Sequence, residues 1–239
     1  MPEGPAADVT KPALPAPFRD RGTEISRLEG FSDCAFAFAI TLLVVSLDVP
    51  SRFSALLDLL RGSPSFGLSF AIIASIWYAH YRFFRRYGVE DTVTVLLTMM
   101  LLFVVLLYVY PLKFVFRLAF SASPGAIADR DVPLLFTIYG LGFTAVWVVL
   151  GLLYINAYRQ RGKLELTEWE AFVTRTSAIQ HLSISGFGLL SAAISYLVPE
   201  PFTATAAGFT YFLIFIAQAV FGRVRNRAQQ RFKADVDLQ

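Results

Sequence analysis

Residues 27–50 read R-L-E-G-F-S-D-C-A-F-A-F-A-I-T-L-L-V-V-S-L-D-V-P. A helix of about 20 apolar residues, rising 1.5 Å each, crosses the hydrocarbon core of a bilayer, and this run has that length. Its first turns nevertheless carry Arg27, Ser32 and Asp33. A carboxylate at the edge of a bilayer is costly unless paired, so Asp33 needs a partner. Ser26, followed three residues later by Glu29, is the pattern of a capping box and marks where the helix starts.

Five more apolar runs follow, at 66–84, 92–116, 133–158, 172–198 and 202–221, with a second capping-box pattern at Thr167 and Glu170. The 239 residues are 56% hydrophobic and 16% charged, with a mean hydropathy of +0.56. Soluble domains are less apolar and carry about 25% charge. The expected fold is therefore an all-α polytopic membrane protein with six transmembrane helices. The chain divides into a disordered tail over 1–26, a six-helix domain over 27–222 and a basic tail over 223–239. The first 26 residues hold Pro, Ala and scattered charge but no apolar core, so they are not a secretory signal.

Orientation follows from Lys and Arg. Most of the 21 lie in the N-terminal segment, the loop after the second span, the loop after the fourth, and the C-terminal tail. Those four segments share one side when six spans are drawn, so the positive-inside rule puts both termini in the cytoplasm. The pI of about 9.1 thus reflects topology and not nucleic-acid binding. The single cysteine, Cys34, reads as a small buried residue within the first span. Two histidines and one cysteine supply no metal-ligand set. Walker, G-x-S-x-G, H-E-x-x-H and dinucleotide patterns are all missing, which argues against an enzyme. So is T-V-G-Y-G, the carbonyl filter of ordinary potassium channels.

On the first helix Phe38, Leu42 and Val45 form an apolar stripe, and Ser32, Ala35, Ala39 and Ser46 a small-residue stripe. Leu43 reads as lipid-facing. Periodicity alone leaves the first stripe open between core, lipid and a symmetry axis. Candidate partners of Asp33 are Arg27 and, on the second span, Trp77 and His80, which are three apart and share a face. These groups suit a structural hydrogen-bond network; a proton relay is the alternative. Ser183, Ser185, Gly186 and Gly188 around His181 point to close helix packing. Tyr108, Tyr110 and Lys113 read as interfacial anchors.

The block Arg27-x-x-x-Phe31-Ser32-Asp33, the W-x-x-H of Trp77 and His80, Asp91 before the third span and Pro111 near its end together resemble the transmembrane protein 175 family of potassium channels, in its prokaryotic six-helix form. The resemblance covers residues 27–116. It implies a homotetramer in the prokaryotic plasma membrane, with the first helix of each subunit lining a central pore and both termini cytoplasmic. It implies a leak-type, potassium-selective path that needs no cofactor beyond the permeant ion and that can also pass protons. The constriction would fall on Phe38, Leu42 and Val45, with Phe38 where the family carries Ile or Leu. Thr41 would be linked to selectivity. Arg27, Phe31, Ser32, Asp33, Trp77 and His80 would form the supporting network. A different reading is a secondary transporter or proton-coupled carrier that titrates Asp33, His80 and His181.

Overall fold

The computed structural model describes residues 18–45, 51–120 and 127–237. Residues 1–17 of the expected tail, and Ser46 and Leu47 of the first expected span, lie outside them. The described chain is built from helices α1 (Arg27–Val45), α2 (Phe53–Arg61), α3 (Ser63–Tyr87), α4 (Thr92–Phe120), α5 (Val132–Arg159), α6 (Glu168–Leu197), α7 (Thr203–Phe209) and α8 (Leu213–Asp237). Tight single turns at Asp129–Asp131 and Thr210–Phe212 open α5 and join α7 to α8. Five segments are long and apolar enough to cross a membrane: Arg27–Val45, Thr92–Phe120, Asp129–Arg159, Glu168–Leu197 and Thr203–Phe232. The expected second span is α3. Its 25 residues give it the length, but serines, Trp77, Tyr78, His80, Tyr81 and three arginines dilute its apolar character.

From α3 to α7 each helix packs on the next, while α1 lies against α3 and α4, and α8 against α6. The core runs through Phe36 and Leu43 of α1, Ile73 and Phe83 of α3, Leu101 of α4 and Leu150 of α5. Leu43 is fully buried there, so it does not face lipid as the sequence suggested. Tyr108 is also no interfacial anchor. It is buried, its ring 5.5 Å from that of Tyr139, and Gly142 leaves the space its ring occupies. Tyr110 is exposed, and Lys113 donates to the Leu43 carbonyl at 3.4 Å. The sequence could not separate Tyr108 from Tyr110 because both stand near one helix end. They are two residues apart, hence about 200° around the helix.

Helices α5 and α6 make the closest crossing. A Cβ on Gly140 would meet the carbonyl of Gly188, and one on Gly188 would meet the carbonyl of Gly140. Thr144 donates across the same contact to the Ser185 carbonyl at 2.9 Å. Backbone atoms cannot move aside as a side-chain tip can. Gly188→Ala should therefore cost about 1–3 kcal/mol by overpacking. Gly186 faces open space, so Gly186→Ala should leave stability unchanged or slightly raised. Thermal unfolding of the two variants in detergent checks this; equal melting temperatures would refute the crossing.

Two boundaries differ from the sequence reading. The basic segment after residue 222 is not a separate tail, because α8 continues through it to Asp237. Alanines, glutamines and arginines after Gly222 are good helix formers, and no proline stops them. At the other end, residues 18–22 are not disordered but form an ordered strap. Arg21 and Gly22 donate their backbone N–H groups to the Arg85 carbonyl at 3.1 Å each. Phe18 meets the edge of Tyr87, and Arg21 pairs with Glu170 at 2.7 Å. Gly22 is required here, since a Cβ would strike the Phe84 carbonyl.

Candidate functional site

Helix α1 has two unlike faces. Glu29, Ser32, Phe36, Ala39 and Leu43 are buried against the subunit. On the opposite side Arg27, Phe31, Cys34, Phe38, Thr41 and Val45 are exposed, spaced alternately four and three apart. That is a seam with the 3.5-residue period by which helices pack against helices. Phe38 is 57% exposed and Val45 71%. Leu42, expected in line with them, is half-buried and packs on the core, while Thr41 takes the seam position. Leu42 and Thr41 stand about 100° apart, so only one of them can centre on the seam. The Thr41 hydroxyl donates to the Ala37 carbonyl at 2.9 Å, which leaves its oxygen lone pairs facing outward. Cys34 lies exposed on this seam and is not buried as expected.

The start of α1 is held by Ser26, whose Oγ accepts from the Glu29 N–H at 3.1 Å. Asp33 accepts from Trp77 Nε1 at 2.7 Å, tying α1 to α3. The other expected network members do not join this bond. Ser32 is buried but donates to the Leu28 carbonyl at 2.8 Å. Arg27 is six residues from Asp33, about 240° around the helix, and faces the seam with Phe31. His80 is buried between the rings of Phe36 and Phe84, and its Nε2 has no hydrogen-bond partner among the described residues.

The groups a carrier would titrate share no direct bond or ring contact among the described residues. His181 lies far along the chain on α6, its ring 5.4 Å from Trp147 and 5.0 Å from Tyr154 on α5. No hydrogen bond or ring contact joins it to Asp33 or His80 among the described residues.

A second polar cluster anchors α4. Asp91 Oδ1 accepts from Thr94 Oγ1 at 2.6 Å, Asn156 Nδ2 at 3.0 Å and Gln160 Nε2 at 3.2 Å. Its Oδ2 accepts from the Val93 N–H. Burial pushes the Asp91 carboxyl up, but the hydrogen bonds from Thr94, Gln160 and Asn156 outweigh it and hold the group below its ordinary value. The sequence offered one signal for this cluster: Asn156 and Gln160, four apart at the end of an apolar helix, share a face. Arg21 and Glu170 carried no comparable signal. Because the folded-state pKa of Asp91 is depressed, its stabilisation is present above the ordinary carboxylate value and is lost as pH falls through the lowered one. Asp91→Asn should cost about 1–2 kcal/mol at neutral pH. The gap between wild type and variant should close as pH drops below about 4. Melting temperatures of both proteins across that range test the sign.

Comparison with known proteins fixes the family. Residues 27–108 match the family described as endosomal/lysosomal potassium channel TMEM175. A relative from Marivirga tractuosa, described as a potassium channel, is 38% identical over 233 residues, covering 91% of this chain and 94% of its own length. This chain belongs to the TMEM175 family. The TMEM175 fold extends over most of its length. A crystal structure of a threonine-to-alanine variant of the potassium channel MtTMEM175, bound to a nanobody–MBP fusion protein, matches at a TM-score of 0.75 and 39% identity, over 88% of this chain and 97% of the other. A TMEM175 homologue from Chamaesiphon minutus, described as a lysosomal potassium-selective channel, matches at 0.57 and 25% identity, over 82% and 96%. The protein is thus an integral, multi-pass membrane protein of a channel family and not an enzyme.

Proposed function

We propose that four copies of this chain form a potassium-conducting leak channel whose central path is lined by the seam of α1. The observation that carries the proposal is the seam itself. A lipid-facing helix surface is uniformly bulky, as on α4, where Leu96, Met100, Phe103 and Leu107 keep the same three-and-four spacing. The exposed face of α1 differs in content, mixing the bulky Phe31, Phe38, Val44 and Val45 with the small or polar Cys34, Ala37 and Thr41. Copies of α1 meeting about an axis would place rings of Phe38 and Val45 on the path. Such rings replace a carbonyl filter with a hydrophobic constriction. The Asp33–Trp77 bond would hold each α1 on its own subunit.

In this arrangement α3 is the second of six spans. The strap, the end of α3 and the loop before α6 all meet at one end of the bundle through Arg21, Arg85, Leu164 and Glu170. The basic residues therefore gather at that end, which supports cytoplasmic termini in a prokaryotic plasma membrane. Purified protein in planar bilayers under a potassium gradient should give stepwise currents that reverse near the potassium potential, with protons tested as a second permeant ion. Saturable coupled exchange without current steps would favour the carrier instead. Mass measurement in mild detergent should give a tetramer; a monomer would sink the shared-axis arrangement.

A further inference from the structure

We propose that the cleft between the strap, α3, α6 and α8 at the basic end of the bundle binds a phosphate group, carried on an anionic phospholipid headgroup or on a soluble phosphate compound. The cleft is open on one side and offers about 310 Å³, at the small end of the range for ligand pockets. Its lining brings together Arg86 from α3, Arg225, Asn226 and Gln229 from α8, and Trp169 from the first turn of α6, with Phe18 of the strap. This set is rich in donors: two guanidinium groups, two carboxamides and an indole, with no carboxylate among the lining residues.

The two arginines are half-buried and close enough to repel one another. Arg82, one turn before Arg86, adds a third positive charge felt by Arg225. Among the described residues no carboxylate forms an ion pair with Arg86, Arg225 or Arg82; Arg21–Glu170 and Arg130–Asp131 pair elsewhere. Arg86 lies 4.8 Å over the Phe18 ring, a contact that orients the side chain without neutralising it. Partly desolvated like charges without a counter-charge are unfavourable unless an anion joins them. Guanidinium groups are the side chains best matched to phosphate oxygens. The position favours the headgroup as the source. On the proposed topology this basic end is cytoplasmic, and the cytoplasmic leaflet carries the anionic lipid.

The test uses the full-length protein, stripped of lipid in neutral detergent, titrated with phosphatidylglycerol, phosphatidylcholine and inorganic phosphate, and read by native mass spectrometry and by melting temperature. Phosphatidylglycerol should bind and stabilise where phosphatidylcholine does not. Arg86→Gln combined with Arg225→Gln should weaken that binding about tenfold or more. Arg223→Gln combined with Arg227→Gln removes the same charge from exposed positions on α8 and should change it less than about twofold. If the Arg86 variant proves unstable, Arg225→Gln alone, with the unliganded melting temperature as its control, carries the comparison. Saturable binding of inorganic phosphate that the pocket variants abolish would identify a soluble anion as the source. Equal loss in the two double variants would mean diffuse surface charge. Absence of any preference over phosphatidylcholine, with phosphate also failing to bind, would equally overturn the site.

Discussion

Glu170→Ala should destabilise the protein by about 3–5 kcal/mol, the cost of removing one partner from a buried ion pair. The Glu170 side chain is 4% exposed and that of Arg21 13%, so solvent screens the pair very little. Glu170 does two further things at once. Its Oε2 accepts from the Thr167 N–H while its own N–H donates to Thr167 Oγ1, which completes the capping box of α6. Its Oε1 accepts from the Arg19 N–H at 2.8 Å. Arg21 in turn donates to the Leu164 carbonyl at 2.9 Å and to the Glu165 carbonyl at 3.3 Å. Removing the carboxylate leaves a guanidinium among carbonyls and frees the strap. Arg21→Met should cost nearly as much, since it leaves Glu170 charged and buried. The double variant Arg21→Met, Glu170→Ala should lose clearly less than the sum of the two single losses, because neither charge is then left alone. Additive losses in a thermal double-mutant cycle would show that the pair is not coupled.

That clamp was illegible in the sequence, and the reason is physical. An extended strap has no helical or strand period, and most of its bonds go to backbone carbonyls that any residue supplies. Pro, Ala and scattered charge before residue 18 gave the whole segment the composition of a tail. The features that could be read carry their signal locally. Thr167 and Glu170 are three apart by the geometry of a cap. The run beginning at Arg27 has the length of a span. Trp77 and Asp33 stood out as polar groups in apolar helices, each in need of the other. Between these limits lies the rotation of α1. Spacing alone put Phe38, Leu42 and Val45 on one stripe, and they do lie within about 60° of one another. Which edge of that stripe turns inward depends on where α3 and α4 press, which no stretch of α1 encodes. The outcome brings Thr41 onto the seam and Leu42 onto its buried flank.

Phe38→Ala should give the largest change in conduction. If the seam lines the path, Phe38 is its bulkiest apolar side chain at mid-helix, and a ring of such groups resists wetting. Trimming it should raise single-channel conductance several-fold and weaken discrimination between potassium and sodium. Val45→Ala should act in the same direction but less, because a valine fills less of the path. Thr41→Val keeps the shape of the side chain and removes the oxygen whose lone pairs face outward, so it should lower discrimination with little change in conductance. Leu42→Ala separates the two readings of the stripe. From its half-buried place on the core it should mainly lower stability, by about 1–2 kcal/mol, and alter conduction less than Phe38→Ala. A larger conduction change at Leu42 than at Phe38 would mean that α1 rotates on assembly. Leu96→Ala and Phe103→Ala, on the exposed face of α4, serve as controls that should leave currents unchanged. Leu43 cannot serve, because it is fully buried and its truncation should cost about 2–5 kcal/mol. Recordings from purified variants in bilayers decide the matter. If Phe38, Thr41 and Val45 can each be changed without effect on conductance or selectivity, the ions pass elsewhere and the seam is only a contact between helices.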